Sequence, residues 1–329
     1  MRVAVVGASG MVGRMFLKVL EEKKLNVDEY VLFSSANSAG QKVNFMGKEY
    51  EFQELKEDSF NSGFDFALFS AGGEVSKKFA PIAKSKGCIV IDNSSAWRMD
   101  KNVPLVVPEV NIDEAFKNNG IIANPNCSTI QAVVALKPLH EKYKIKRIIY
   151  STYQAVSGAG LKGYMDLENG IKGEEPKKFP YQIFGNCLPH IDTFMENDYT
   201  KEEIKMIEET KKILNDYKIG ITATTVRVPV FNGHSESINV EFEKDFILRD
   251  IFEIYKNAKG IILQDNVSEN VYPMAITSSG YDEVFVGRIR RDYSVKSGLN
   301  LWVVADNLRK GAASNAVQIM EEMMNKIQN

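Results

Sequence analysis

Apolar and polar positions follow two regimes along the chain. Up to residue 127, short unbroken apolar runs recur, each closed by a polar or glycine-rich turn and followed by apolar residues at helical spacing. Arg2-Val3-Ala4-Val5-Val6 reads as a buried parallel strand, and Phe16, Leu17 and Leu20 mark the inner face of the next helix. Tyr30–Phe33, Phe64–Phe69, Cys88–Ile91 and Ile121–Ala123 read as further strands, with a helix through Phe79 and Ile82. Strands alternating with helices predict a doubly wound α/β domain. A helical pattern then starts at Ser128 and continues through Ile130, Val133 and Val134. Beyond it the pattern changes. Arg147–Tyr153 reads as a strand, and Thr200-x-x-Glu203 is a capping box opening a helix that reaches Leu214. Runs at Ile221–Val230, Ser235–Phe242, Val284–Arg291 and Leu299–Ala305 read as strands of a mostly antiparallel sheet, giving an α+β domain. A last helix, Gly311–Ile327, is expected to return to the first domain.

Length and charge narrow the class. A chain of 329 residues suggests two domains with ample core. A net charge of -2 gives no broad footprint for nucleic acid or anionic lipid, so neither is expected as a partner. Three cysteines without paired-ligand spacing argue against a disulfide framework or a metal site. Arg2–Val6 runs directly into a glycine loop, leaving no room for a signal peptide, and no apolar stretch is long enough to span a bilayer. A cytoplasmic protein is the expectation.

Two stretches carry candidate chemistry. Gly7-Ala8-Ser9-Gly10-Met11-Val12-Gly13 lies between a strand and a helix, the context in which backbone N–H groups and a helix N-terminus cradle the phosphates of a dinucleotide. The loop after the second strand, Ser34 to Gly40, lacks the acidic residue that would take an NAD ribose hydroxyl. Its hydroxyls and amides suit a 2′-phosphate better, which tilts the cofactor toward NADP. The second stretch is Asn124-Pro125-Asn126-Cys127-Ser128-Thr129. It puts Cys127 in a polar turn at a helix N-terminus, where free N–H groups and the helix dipole favour thiolate, the form that attacks a carbonyl carbon. Cys88, within an apolar strand, reads instead as a core residue. Arg98, in a loop after a strand C-terminus, is placed to meet an anion; Arg227 lies on the polar face of a strand and can clamp a carboxylate. Glu202 and Lys205 share a helix face. His234 and His190 are equal candidates for a catalytic histidine on these grounds.

These stretches, with Ser151-Thr152-Tyr153-Gln154-Ala155-Val156-Ser157-Gly158-Ala159-Gly160, Arg227-Val228-Pro229-Val230, His234-Ser235-Glu236-Ser237, Val284–Arg290 and Trp302–Leu308, resemble the aspartate-β-semialdehyde dehydrogenases along essentially the whole chain. The resemblance implies a Rossmann domain over residues 1–127, rejoined by 308–329, and a catalytic and dimerisation domain over 128–307. It implies reversible, NADP-dependent conversion of aspartate semialdehyde and phosphate to aspartyl phosphate, a step toward lysine, threonine and methionine, by a homodimer or tetramer. Cys127 would be the nucleophile, His234 the general acid/base, and Gln154 would orient the reacting groups. Arg227 would bind the substrate α-carboxylate and Glu202 its ammonium, while Arg98, Lys205 and Asn93 would hold phosphate. The cofactor would meet Gly7 through Gly13, Ser35, Asn37, Ser38, Ser70, Ala71, Gly72, Ser157, Gly158 and Asn307. Some relatives carry arginine where this chain has Asn37, so a modest NADP preference with weaker NAD use is expected. Two alternatives are reduction of another acyl phosphate, such as N-acetylglutamyl phosphate, and a Rossmann redox sensor without catalysis.

Overall fold

In the computed structural model, which describes residues 1–328, the chain divides into two compact units: Met1–Asn126 together with the segment from Ala312 onward, and Cys127–Gly311. In the first unit the apolar runs form strands and the intervening patterns form helices. They are β1 (Arg2–Val6), α1 (Met11–Lys23), β2 (Glu29–Ser34), β3 (Lys42–Phe45), β4 (Lys48–Glu51), β5 (Gln53–Glu54), β6 (Phe66–Phe69), α2 (Gly73–Ser85), β7 (Ile89–Asp92), α3 (Pro108–Asn111) and β8 (Ile121–Ala123). One sheet has the order β5-β2-β1-β6-β7-β8, every pairing parallel. The order reverses between β1 and β6, so their C-terminal ends flank a topological switch point, where open α/β sheets bind ligands. β3 and β4 make a separate antiparallel hairpin.

The second unit opens with α4 (Cys127–Tyr143) and β9 (Ile145–Gln154). Then follow α5 (Gly160–Ile171), α6 (Lys201–Leu214), β10 (Gly220–Arg227), β11 (His234–Phe242), α7 (Leu248–Asn257), β12 (Ile261–Leu263), α8 (Ala275–Ser278), β13 (Val284–Asp292) and β14 (Gly298–Ala305). The sheet order is β10-β9-β11-β14-β13-β12. The inner pairings are antiparallel, while β10 on β9 and β12 on β13 are parallel, so the sheet is mixed. β10 ends at Arg227 and does not run on to Val230, because Pro229 has no N–H for the ladder. The Thr200 capping box forms as its sequence specifies: Thr200 Oγ1 accepts from Glu203 N–H, and the Glu203 carboxylate accepts from Thr200 N–H.

A π-helical turn, Arg309–Ala313, leads into α9 (Ser314–Gln328). Ala316, Val317, Ile319 and Met320 of α9 join Val3, Val5, Phe16 and Leu20 in the buried core of the first unit. Each of these side chains larger than alanine contributes roughly 1.5–3 kcal/mol on burial. In the second unit one sheet face is lined by Tyr150, Thr152 and Gln154 of β9 and by His234, Glu236, Ile238 and Val240 of β11, all buried. α4 and α6 cover that face. The period-two alternation thus places polar and catalytic-type side chains in the row that deeper in the sheet is apolar. Among the described residues no helix is long and apolar enough to cross a membrane.

Candidate active site

Cys127 is the first residue of α4, half-buried, with the helix running away from it. The Asn-Pro turn before it prevents the helix from starting earlier. Gly311 packs so close that a Cβ there would lie 2.7 Å from the Cys127 Cβ, so only glycine lets the chain pass behind the sulfur. His234 opens β11, and its Nε2 lies 3.2 Å from Cys127 Sγ. Its Nδ1 accepts a hydrogen bond from the Ala155 N–H at 3.0 Å. The ring is fully buried; burial first, and the Arg227 guanidinium second, hold its pKa down at about 3 against an opposing pull from Glu202. The imidazole is therefore neutral at physiological pH. His190 stacks on Phe194 with ring centroids 4.3 Å apart, so of the two histidines only His234 meets the cysteine. Cys88 is buried in the first unit, where desolvation pushes its thiol up to about 12, as befits a core residue.

Around this pair the second unit gathers a charged, buried network. Arg227, 5% exposed, donates from Nη1 to the Ala155 carbonyl at 2.7 Å and lies over the Phe179 ring, leaving most of its fork without another hydrogen-bond partner among the described residues. Gly158 faces both Arg227 Nη1 and the His234 ring. Gln154 is held at both ends: Thr152 Oγ1 donates to its Oε1 at 2.9 Å, and its Nε2 donates to Glu202 Oε1 at 3.1 Å. Lys205 Nζ bridges Glu202 at 3.1 Å and Asp192 at 2.7 Å. Glu202 is 5% exposed, so the carboxylate of this helix-face pair is withdrawn from solvent. Ser157 and Asn307 hydrogen-bond each other, and Asn307 Oδ1 accepts from Gly233 N–H, fixing the turn that leads into His234.

Two residues that support the site were not singled out from sequence. Gln131, one turn into α4, donates to the His234 and Val303 carbonyls. Glu236 is fully buried on the same strand face as His234, and neither of its carboxylate oxygens has a hydrogen-bond partner among the described residues. Its place two residues after His234 in a strand was a usable signal, since alternate residues share a face. Burial, with the charge of Glu202 added, pushes its carboxyl well above the usual range and favours its protonated form. A raised carboxyl pKa means the folded state holds a proton that the unfolded state gives up. Stability should therefore fall as pH rises above the ordinary glutamate pKa, by about 1.4 kcal/mol per pH unit within the window. Glu236→Gln is expected to remove this dependence and to raise the unfolding midpoint at pH 8 relative to wild type. Denaturant melts from about pH 5 to 9 would detect it; parallel pH profiles for both proteins would refute it.

In the first unit Gly7, at φ +82°, lies so near β6 that a Cβ would be 2.4 Å from the Ser70 carbonyl oxygen, and a Cβ on Gly13 would be 2.1 Å from the Gly7 oxygen. α1 begins at Met11 with no side-chain cap on its N-terminus. Close backbone packing plus uncapped N–H groups suits a dinucleotide phosphate bridge. Ser9 Oγ bonds Ser34 Oγ at 2.6 Å. In the following loop Ser35 and Asn37 are exposed, and the Ser38 and Ala39 N–H groups both donate to the Ser35 carbonyl. Those two N–H groups are thus spent on the turn, and the hydroxyls of Ser35 and Ser38 with the Asn37 amide remain as donors. Ser70, Ala71 and Gly72 form the segment from β6 into α2. Arg98 is 8% exposed and donates to the Asn124 and Asn93 carbonyls, while Asn124 Nδ2 donates to Asn93 Oδ1. It is neither solvated nor a bare loop cation; it braces the turn before Cys127.

Comparison with known proteins gives a consistent answer. Residues 2–118 match the model of the semialdehyde dehydrogenase NAD binding domain, and residues 136–310 that of the semialdehyde dehydrogenase dimerisation domain. The aspartate-semialdehyde dehydrogenase of Aquifex aeolicus is 58% identical over 97% of both chains. That of Bacillus subtilis is 49% identical over 98% of this chain and 97% of its own. The crystal structure of aspartate semialdehyde dehydrogenase II from Vibrio cholerae, complexed with ASA, superposes with a TM-score of 0.95 at 47% identity over 98% of each chain. The Candida albicans enzyme, crystallised with NADP, gives 0.79 at 25% identity over 100% of this chain and 99% of its own.

Proposed function

Starting from a chain that belongs to the aspartate-semialdehyde dehydrogenase family, we propose that it reversibly converts 4-phospho-L-aspartate to L-aspartate 4-semialdehyde and phosphate through a thioester on Cys127, with NADP as the preferred cofactor. The observation that carries this is the 3.2 Å approach of His234 Nε2 to Cys127 Sγ at the start of α4. The helix N-terminus and the Arg227 charge favour thiolate there, and the free N–H groups of the first turn are donors for an oxyanion. The thiolate attacks the acyl carbon and phosphate leaves, or in reverse phosphate displaces the sulfur. Arg227, with most of its fork unengaged, takes the substrate α-carboxylate. Glu202, a buried carboxylate positioned by Gln154 and Lys205, takes the ammonium. Lys205, Arg98 and Asn93 are assigned to phosphate.

Gly7, Gly10, Gly13 and the uncapped start of α1 would hold the pyrophosphate of the dinucleotide, and Ser35, Asn37 and Ser38 its 2′ end. When bound, its nicotinamide supplies or takes up the hydride. A matching dimerisation domain supports assembly as a homodimer or a tetramer, and a cytoplasmic location is part of the proposal. An N-acetylated substrate has no ammonium for Glu202, which disfavours N-acetylglutamyl phosphate. A redox sensor would give no acyl-enzyme burst.

The test is kcat/KM for NADP and NAD with aspartate semialdehyde and phosphate, in wild type, Asn37→Arg and Ser35→Asp. Neutral donors in the loop stabilise a 2′-phosphate less than charged ones, so the wild type should prefer NADP by a modest factor. Asn37→Arg should strengthen NADP binding and sharpen its salt dependence, and Ser35→Asp should reverse the preference. A wild type that favours NAD, or unchanged NADP affinity in Asn37→Arg, would remove this loop from the 2′ position.

A further inference from the structure

Residues 172–200, between α5 and α6, form no helix or strand, yet the segment is tied down at two points, and both ties lead to Arg227. The first tie is Asp166, 4% exposed, on the buried face of α5. Its carboxylate accepts the N–H groups of Lys177 at 2.9 Å, Lys178 at 2.7 Å and Phe179 at 2.8 Å. Burial works against its charge, but these donors and the Lys177 ammonium outweigh burial and hold its pKa below the usual carboxylate range. Backbone donors converging on one carboxylate fix the path of 177–179 and so the place of the Phe179 ring. Three residues back on the same face of α5, Gly163 leaves room for that ring: a Cβ there would lie 3.0 Å from Phe179 Cζ. The ring packs against the buried cluster of Val156, Leu167, Ile183 and Leu188, and its centroid is 6.0 Å from Arg227 Cζ. The second tie is Leu188 itself, which exchanges backbone hydrogen bonds with Arg227, N–H to carbonyl, at 2.9 and 2.8 Å.

We propose that Phe179 is the back wall of the substrate α-carboxylate site, closing one side of the Arg227 fork to water, and that Asp166 is the positioning residue that seats it. The proposal rests on Arg227 being the carboxylate clamp. At 6.0 Å the ring stands at the outer limit of cation–π attraction, so its direct pull on the guanidinium is small. It acts by what it keeps out. An aromatic face offers no strong acceptor to compete with a carboxylate for the N–H groups of the fork. With Nη1 held by the Ala155 carbonyl and Phe179 on one side, the remaining donors are left for the substrate. A charge-assisted pair formed where water is scarce is stronger than the same pair in water. Long segments without regular structure are ordinarily disordered or functional, and this one is fastened by a buried carboxylate at the point where it meets the clamp.

Phenylglyoxal labelling of Arg227, followed by peptide mass spectrometry, reads the wall without reference to turnover. Arg227 should be labelled several-fold faster in Phe179→Leu and in Asp166→Ala than in wild type. In steady-state kinetics Phe179→Leu should raise KM for aspartate semialdehyde roughly two- to tenfold, while KM for phosphate and kcat stay within about twofold. Asp166→Ala leaves the N–H groups of 177–179 without their acceptor and should raise the same KM roughly tenfold or more. Asp166→Asn, which keeps one acceptor oxygen, should fall between Asp166→Ala and wild type. Combined with Arg227→Leu, none of these changes should raise that KM further, because the wall acts through the guanidinium; damage to the loop alone would add to it. Unchanged labelling, or equal rises in the two KM values, overturns the proposal. Were Asp166→Ala not to fold, the labelling and kinetics of Phe179→Leu decide it. An unchanged semialdehyde KM in Arg227→Leu is the separate failure, that of the carboxylate assignment, and takes the proposal with it.

Discussion

Cys127→Ala should abolish turnover while dinucleotide binding persists. Alanine keeps the Cβ, so the close packing against Gly311 is undisturbed and the start of α4 stays intact. What is lost is the atom proposed to form the thioester. Where a nucleophile and its partner act as a unit, removing it costs on the order of 10⁶ in kcat. Cys127→Ser should be almost as slow, because a hydroxyl is far harder to ionise than a thiol. The measurement pairs steady-state rates with titration of the cofactor. Retained activity, or loss of cofactor binding along with activity, would remove Cys127 from the nucleophile's role.

Arg227→Leu is expected to raise KM for aspartate semialdehyde ten- to a hundredfold and leave KM for phosphate nearly unchanged. A charge-assisted contact is worth roughly 1.5–3 kcal/mol, and Arg227 is buried, so little water replaces it. Its Nη1 also anchors the Ala155 carbonyl, so kcat should fall as the His234 contact loosens. For Lys205→Ala the order reverses, with phosphate affinity reduced first. Because Lys205 also bridges to Glu202, the amino-acid KM should rise secondarily. Equal shifts of both constants in both variants would show that the two anions do not use separate groups.

How far the sequence alone reaches follows from what each feature depends on. The β1–glycine turn–α1 unit and the start of α4 were legible because strand runs, turn residues and helical spacing are local. The Thr200 capping box was legible for the same reason, and both of its hydrogen bonds form. The β3–β4 hairpin was not. Its reversal is Met46-Gly47, both at positive φ, without the asparagine or aspartate that usually marks such a turn, and its strands are largely exposed. Sheet order was equally hidden, since the parallel pairing of β12 on β13 depends on tertiary packing. At the site, His234 and His190 could be told apart only by a resemblance. The physical difference, one ring against Cys127 and the other against Phe194, needs chain segments over a hundred residues apart to meet. Arg98 was seen as an anion-facing loop residue, and its role in bracing the Asn93 and Asn124 carbonyls depends on two loops brought together.

The placement of α9 has a consequence for synthesis. The core of the first unit takes Ala313, Ala316, Val317, Ile319, Met320, Met323 and Met324 from the end of the chain and Val3, Val5 and Phe16 from its beginning. A ribosome that has reached Gly311 has therefore synthesised every residue of the second unit, yet the dinucleotide fold made first still lacks one wall. Domains ordinarily fold in the order they emerge; here the N-terminal one keeps apolar surface open until α9 has been made. A nascent chain can assemble Cys127 and His234 before its nucleotide-binding half is complete, and a chain cut before α9 leaves that half unclosed.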